Sequence, residues 1–323
     1  MSRKPLTTLI MEPEDYSKSA ILKYRSLGPV YFWPDLKKSE EERVKREANI
    51  LVLMLKYHID RNWIDAMPNL KVVATQTTGL NHIEVEQLKE KTIKLISLLG
   101  QKSFLKNITS TAEEAIALLF ALVRNIPWAF DDVKAGNWNR NKWRGRQLMG
   151  KTFGILGFGR LGKIVAGYAK AFGMKVIASD PHVSESVMRR YGARKVSMDY
   201  LFKESDALSI HVLLTVDTSN LVEERHLKLM KPSAYLVNTA RAELIEKGAL
   251  EKALRNHWLA GAAIDVMWNE KSDASHLKEN KLLKYAQENK NLIIAPHIGG
   301  ATFEAMEITQ DFLADLVLKY FKS

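Results

Sequence analysis

The sequence predicts an α/β protein of two doubly wound domains, each built on a parallel sheet covered by helices. Three observations predict it. Short apolar strands alternate with polar helical stretches over about the first 100 residues, and a second strand–helix series begins at Gly150. The chain of 323 residues also exceeds what a single hydrophobic core usually holds.

In the first series, the apolar or β-branched runs at 8–10, 30–32, 50–55 and 72–75 read as strands between turn residues. Their alternation with helical stretches argues for parallel pairing. Ser110 and Glu113 have the spacing of a capping box. They open a long apolar helix through Ala115, Leu118, Leu119, Leu122 and Val123, which Pro127 interrupts. The second series has strands at 153–158, 175–180, 207–212, 234–239, 261–266 and 292–295. Between the first two of these, Leu161, Ile164, Val165, Tyr168, Ala169 and Phe172 recur at helical spacing. Segment 301–321 closes the series as an amphipathic helix with Met306, Leu313, Leu316, Val317 and Tyr320 on its apolar face. The sequence has no internal repeat and no low-complexity tract.

Composition narrows the function classes. A hydrophobic content of 46% with 26% charged residues is ordinary for a soluble globular protein, and no apolar run approaches a membrane span. Glu12 and Asp15 cut short the only apolar stretch near the N-terminus, so a signal peptide is not expected and a cytoplasmic location is. The absence of cysteine excludes disulfides, thiolate metal sites and cysteine nucleophiles, and no metal site is expected. The net charge of +11 comes from scattered Lys and Arg, many beside Glu as in 37–47. It reads as a solvated surface able to steer anionic small molecules. No nucleic-acid-reading motif accompanies it, so neither nucleic acid nor membrane is an expected partner.

Gly157-Phe158-Gly159-Arg160-Leu161-Gly162 follows a predicted strand and opens a predicted helix. Glycine turns of this spacing are common; the strand before and the helix after give this one its meaning. A dinucleotide pyrophosphate lies close to such a backbone, where side chains at Gly157 and Gly159 would obstruct it. Gly162 lets the helix pack onto the strand, and the helix N-terminus presents N–H groups to the phosphates. Asp180 ends the next strand, where a carboxylate accepts hydrogen bonds from an adenosine ribose and repels a 2′-phosphate. The expected cofactor is therefore NAD, with His182 and Arg189 near enough to soften the preference over NADP.

Three later strand ends carry polar residues at the edge where a parallel sheet takes its ligand. Arg241 follows 234–239, Glu270 follows 261–266, and His297 follows 292–295. Reversible hydride transfer at a 2-hydroxy acid needs these three groups. A guanidinium holds the carboxylate and polarises the carbonyl oxygen. An imidazole exchanges the hydroxyl proton, and a carboxylate beside it favours imidazolium and sets its tautomer.

These stretches resemble the D-isomer-specific 2-hydroxyacid dehydrogenases, a family that includes phosphoglycerate dehydrogenase and hydroxypyruvate and glyoxylate reductases. The likeness runs from about Asn69 to Glu304. It rests on 150–162, on Asn238-Thr239-Ala240-Arg241, on 262–266 and on Pro296-His297-Ile298-Gly299-Gly300. The resemblance implies that Arg241 binds substrate, that His297 is the acid–base and that Glu270 supports it. It implies that Asp265 contacts the nicotinamide carboxamide with Thr239 and Ala240 nearby, and that Thr78 and Gly79 bind the substrate carboxylate through backbone N–H groups. Arg160, Leu161, Val212, Thr218 and Gly299 complete the expected cofactor site. The implied architecture is a Rossmann NAD-binding domain, 107–295, inserted into a flavodoxin-like catalytic domain, 1–106 with 296–323. A homodimer is implied, with the helix after Ser110 and the Trp128 to Trp143 region as its contact elements.

Several positions depart from the family pattern. Ala242 stands in place of a glycine, Lys271 in place of a proline, and Leu213 in place of another proline. Segment 272–291 is longer and more polar than is usual. Met54-Leu55-Lys56 stands where phosphoglycerate-type members carry an Arg-Ser pair for the substrate phosphate, leaving Lys56 as a partial substitute and substrate-binding candidate. The rival reading is a nucleotide-sensing binding protein resembling the corepressors of this fold, which keep an Arg-Glu-His set.

Overall fold

The computed structural model describes residues 4–271 and 273–322; Ser272, which opens the polar segment 272–291, lies outside them. The chain forms two compact units, 1–108 with 302–323, and 109–301. The sequence places the boundaries at 106/107 and 295/296. The second change of unit falls after 301 because Asp265 of the larger unit holds the N–H groups of Ile298 and Gly299.

The smaller unit alternates β1 (Thr7–Ile10), α1 (Lys18–Arg25), β2 (Val30–Phe32), α2 (Lys38–Glu47) and β3 (Ala48–Leu53). It continues with α3 (Arg61–Asp65), β4 (Val72–Thr75), α4 (Val85–Glu90), β5 (Lys94–Ser97) and α5 (Lys102–Leu105). All strand pairs are parallel, in the order β2-β1-β3-β4-β5. Alternate residues face opposite sides, as the pleat requires. Leu9, Leu51 and Val73 pack with Val44, Ile64 and Leu88 on one side. Ile10, Ile50, Val52 and Ala74 meet Ala20, Tyr24, Leu313, Ala314 and Val317 on the other. The final helix, Phe303–Lys322, thus belongs to this unit. Gln310 accepts the Ser17 N–H at 2.6 Å, and Asp311 and Asp315 pair with Lys23.

The larger unit runs through α6 (Ser110–Val123), α7 (Ile126–Lys134), β6 (Thr152–Leu156), α8 (Arg160–Ala171), β7 (Lys175–Ser179), α9 (Glu185–Arg190) and β8 (Ala193–Lys195). There follow α10 (Met198–Glu204), β9 (Ala207–Ile210), α11 (Glu224–Lys228), β10 (Tyr235–Asn238), α12 (Ala249–Arg255), β11 (Gly261–Ile264), α13 (Lys281–Glu288) and β12 (Leu292–Ile294). Its seven strands are parallel in the order β12-β11-β10-β9-β6-β7-β8. Leu118, Leu119 and Leu122 of α6 pack with Val165 against Phe153, Ile155, Val237 and Ala263. Leu201, Phe202, Leu250 and Leu254 cover the other face at Leu208, Ile210, Leu236 and Ile264.

Pro127 divides α6 from α7 and sits in the first turn of α7, where its missing N–H leaves no helical bond unmade. The expected capping box differs by one residue. Thr109 is the N-cap, its hydroxyl bonds Glu113 at 2.5 Å, and Ser110 is buried inside the first turn. Strands β5 and β8 escaped the sequence reading. Both are short sheet edges, and β8, Ala193-Arg194-Lys195, has no apolar run to betray it.

Candidate active site

In the larger unit the strand order reverses at β6, with β7 and β8 on one side and β9 to β12 on the other. Open parallel sheets take ligands outside the carboxyl ends of their strands at such a reversal. The loops leaving β6, β9, β10, β11 and β12 carry the predicted residues to that edge.

The loop after β6 makes its turn at Gly157, where φ is +88°. A Cβ there would lie 2.7 Å from the His211 carbonyl oxygen and 2.9 Å from Val212 Cγ2, so the fold itself requires this glycine. Gly162 is equally constrained, since a Cβ would fall 2.3 Å from the Gly157 carbonyl oxygen. Gly159, the N-cap of α8, has nothing within 4 Å of the corresponding position. Packing does not require a glycine there, and the space beside the loop is open. Arg160 and Leu161 are half-buried in the first turn of α8, and burial draws the Arg160 pKa down.

Asp180 accepts the Phe158 N–H at Oδ2 and the His182 N–H at Oδ1, both at 2.8 Å. It therefore ties the glycine loop to the end of β7, while a carboxylate keeps lone pairs beyond these two bonds. Thr218 braces a turn of its own loop. Its hydroxyl donates to the Leu213 carbonyl and accepts the Thr215 N–H, each at 2.7 Å, closing the 213–218 turn. After β9, His211 bonds Ser209 Oγ through Nε2 at 2.9 Å, and burial lowers its pKa to about 4, so it is neutral.

Asn238 ends β10 almost fully buried. Its Oδ1 accepts the Ala240 N–H at 3.0 Å and its Nδ2 donates to the Arg241 carbonyl at 2.9 Å. The carboxamide thus shapes the turn that presents Arg241, whose Nη1 donates to the Ala240 carbonyl at 2.7 Å. Burial draws the Arg241 pKa down against the opposing carboxylates of Glu270, Glu243 and Asp265. Thr239, beside it, carries a buried hydroxyl with no hydrogen-bond partner among the described residues.

His297 Nδ1 lies 2.6 Å from Glu270 Oε2, and Glu270 Oε1 accepts the Met267 N–H at 2.6 Å. Burial pushes Glu270 up, but His297, the Met267 N–H and the Arg241 charge outweigh it and hold the carboxyl below its ordinary range. His297 stands at φ +58°, a left-handed conformation strained for a residue with a side chain. Asp265, buried below, holds it there: Oδ1 accepts the Ile298 N–H and Oδ2 the Gly299 N–H, both at 2.7 Å. Burial raises the Asp265 pKa, and those two N–H groups and His297 oppose the rise. A Cβ on Gly299 would sit 2.9 Å from Asp265 Oδ2, so only glycine closes this contact.

The guanidinium, imidazole and carboxylate predicted from sequence thus come to one sheet edge. The Asn238–Arg241 stretch shows no role for Asn238 in sequence, and its signal is a buried polar residue ending a strand. Lys56, Thr78 and Gly79 belong to the smaller unit. Lys56 Nζ stands 5.8 Å above the Tyr57 ring, with its backbone N–H on Glu12 at 2.6 Å. Thr77 Oγ1 caps the Gly79 carbonyl at 2.7 Å, and the Thr78 and Gly79 N–H groups make no hydrogen bond among the described residues. Among those residues no cluster of His, Asp and Glu is placed to hold a metal, and no helix is long and apolar enough to cross a membrane.

The larger unit fits a dinucleotide by its own geometry: the open space at Gly159, an α8 N-cap that has no side chain to occupy it, and the orphaned Thr239 hydroxyl. Comparison with known proteins points the same way. The family described as "D-isomer specific 2-hydroxyacid dehydrogenase, NAD binding domain" matches residues 116–299. A glyoxylate reductase of Thermococcus litoralis is 36% identical over 284 residues, covering 86% of this chain and 82% of that one. A hydroxypyruvate reductase of Thermotoga maritima is 35% identical over 287 residues, covering 89% and 88%. A D-lactate dehydrogenase of Aquifex aeolicus, solved with NAD and lactic acid, superposes with a TM-score of 0.83 at 27% identity, covering 98% and 95%.

Proposed function

The chain belongs to the D-isomer-specific 2-hydroxyacid dehydrogenases, NAD-linked oxidoreductases of hydroxy and keto acids, and from that premise we propose a division of labour among its residues. Arg241 binds and orients the substrate carboxylate and 2-oxygen, His297 exchanges the proton, and Glu270 orients His297. The glycine loop would hold the dinucleotide, which would supply a hydride to substrate C2 as NADH and take one from it as NAD+. With Nδ1 committed to Glu270, His297 exchanges its proton through Nε2, giving it to the carbonyl oxygen in reduction and taking it back in oxidation. Glu270, ionised and tied to its own turn, favours imidazolium while the proton waits. Thr78 and Gly79 offer backbone N–H groups to the carboxylate. Arg160, Leu161, Val212, Thr239, Ala240, Asp265 and Gly299 border the dinucleotide with the glycine loop, and Asp180 receives its ribose. The 2.6 Å contact between His297 and Glu270 carries this reading, because it orients an imidazole for proton exchange at the same sheet edge as Arg241. No observation favours the nucleotide-sensing alternative.

The substrate is proposed to be small, in keeping with the relatives named as glyoxylate and hydroxypyruvate reductases. Following NADH consumption with glyoxylate, hydroxypyruvate, pyruvate and 2-ketoglutarate tests the proposal. Turnover of glyoxylate or hydroxypyruvate is expected, and a flat trace across the panel overturns it. A homodimer is supported by the exposed Ile126, Phe130 and Val133 on one face of α7, and a cytoplasmic location by the lack of cysteine.

The glycine loop supports a paired prediction. Gly157→Ala, strained at positive φ and crowded by His211, is expected to lose about 1–3 kcal/mol of stability. Gly159→Ala has space for its methyl and should leave stability within about 0.5 kcal/mol. It should nevertheless weaken NADH binding. Denaturant midpoints and NADH titration check both; Gly159→Ala binding NADH at full affinity would move the dinucleotide elsewhere.

A further inference from the structure

Glu270 lies on the turn that leaves β11, and the two sides of that turn are held by different parts of the larger unit. On the first side, Met267 is buried and gives its N–H to Glu270 Oε1 at 2.6 Å. Asn269 then takes a left-handed conformation at φ +57°, which asparagine adopts more readily than most residues. On the second side, Lys271 stands where the family pattern has a proline. A proline ring fixes φ and offers no N–H; a lysine has neither the ring nor that economy. His276 meets the difference. Its Nδ1 accepts the Lys271 N–H at 3.1 Å, while the Lys271 carbonyl accepts the Ala274 N–H at 3.0 Å.

His276 belongs to the long polar segment 272–291, and its own backbone is anchored by packing. It sits in a short 3-10 turn, Ser275–Leu277, and Leu277 packs against the core with Leu282 and Ala286 of α13. Tyr285, 3% exposed, joins them in that core. Asn280 caps α13 by accepting the N–H groups of Leu282 at 2.9 Å and Leu283 at 3.2 Å. The half-buried imidazole therefore reaches Lys271 from a backbone fixed by apolar contacts.

We infer that His276 is a positioning residue for the proton exchange, holding the second side of the Glu270 turn so that Glu270 Oε2 stays against His297 Nδ1. The inference rests on the functional reading above and deepens it, since His276 acts through Lys271 and Glu270 rather than on substrate. Met267 alone ties the carboxylate to the start of the turn and leaves its far side to swing. Reaction rates are sensitive to displacements of about 1 Å in a positioned group, so a bond that fixes the turn bears on turnover.

Three substitutions in the full chain test it. Asparagine places Oδ1 where Nδ1 stands, glutamine carries its amide one bond farther out, and alanine has no acceptor. With NADH and the best keto acid of the panel, His276→Ala and His276→Gln should lower kcat by about three- to tenfold, the range of one hydrogen bond. His276→Asn should stay within about twofold of the parent protein, because it keeps that bond. KM and NADH affinity should move by less than about twofold in all three, since the loss falls on the chemical step. A merely structural histidine would not produce this order of kcat values at constant KM.

The bond between His297 and Glu270 gives a second readout that needs no turnover. Its short N–H···O contact should show a far-downfield proton resonance, identified by its loss in His297→Ala. The resonance should move upfield in His276→Ala and His276→Gln and return in His276→Asn. Unchanged kcat in a folded His276→Ala overturns the inference, as does a loss in His276→Asn equal to that in His276→Gln. If His276→Ala fails to fold, the asparagine and glutamine variants decide by the same measures. A parent protein without turnover across the panel counts against the functional reading instead, and the resonance then decides for or against His276.

Discussion

His297→Ala is expected to lower turnover by about 10²–10⁴-fold, the contribution of a positioned acid–base, while NADH affinity stays near that of the parent protein. The imidazole is half-buried and bonds Glu270 through Nδ1. Alanine therefore removes the proposed proton carrier without opening the core. The left-handed conformation at this position survives the change, because Asp265 holds the next two N–H groups rather than the side chain of residue 297. Glu270 loses its strongest partner but keeps the Met267 N–H. Pre-steady-state and steady-state rates with NADH and the best keto acid of the panel measure the effect. Turnover near the parent level would remove His297 from the mechanism, and loss of NADH binding in parallel would recast it as a structural residue.

Arg241→Lys is expected to cut kcat/KM by about 10²-fold despite keeping the charge, since charge-assisted hydrogen bonds contribute about 1.5–3 kcal/mol each. The guanidinium carries five N–H donors in a planar fork, whereas an ammonium is a single point of charge. Nη1 is anchored on the Ala240 carbonyl, and Asn238 fixes the backbone on both sides of that anchor. The fork is thus held before the substrate arrives, and a lysine has no equivalent second arm to hold it. Both KM and kcat should worsen, because the same group is proposed both to bind the carboxylate and to polarise the carbonyl. Unchanged kcat/KM in Arg241→Lys would make Arg241 a bystander.

How much of this was legible beforehand varies by residue. Both parallel sheets show in the sequence because buried strands are continuous apolar runs, as in Ile50 to Leu53 and Phe153 to Leu156, and because helices separate them. The edge strand Ala193–Lys195 does not, since two of its three residues are basic and its pairing comes from β7 alone. Gly157, Gly162, Arg241, Glu270 and His297 were legible because a glycine turn after a strand, and charged groups after later strands, occur at positions that parallel topology sends to one edge. The committed hydroxyl of Thr218 was not, because a turn closing on itself over five residues looks the same in sequence as a loop that reaches for a ligand.

By itself, the order of residues determined that strands and helices alternate, which strand ends carry the guanidinium, carboxylate and imidazole, and that glycine must follow β6. Tertiary structure alone decided what each polar group bonds to. Asp265 holds the His297 loop across 33 positions of chain, Glu12 accepts N–H groups 42 to 44 positions away, and Asn238 braces Arg241. Apolar periodicity is a local property that short windows of sequence record. A buried carboxylate chooses its partners by the geometry of whichever N–H groups folding brings within reach, and no local pattern encodes that meeting.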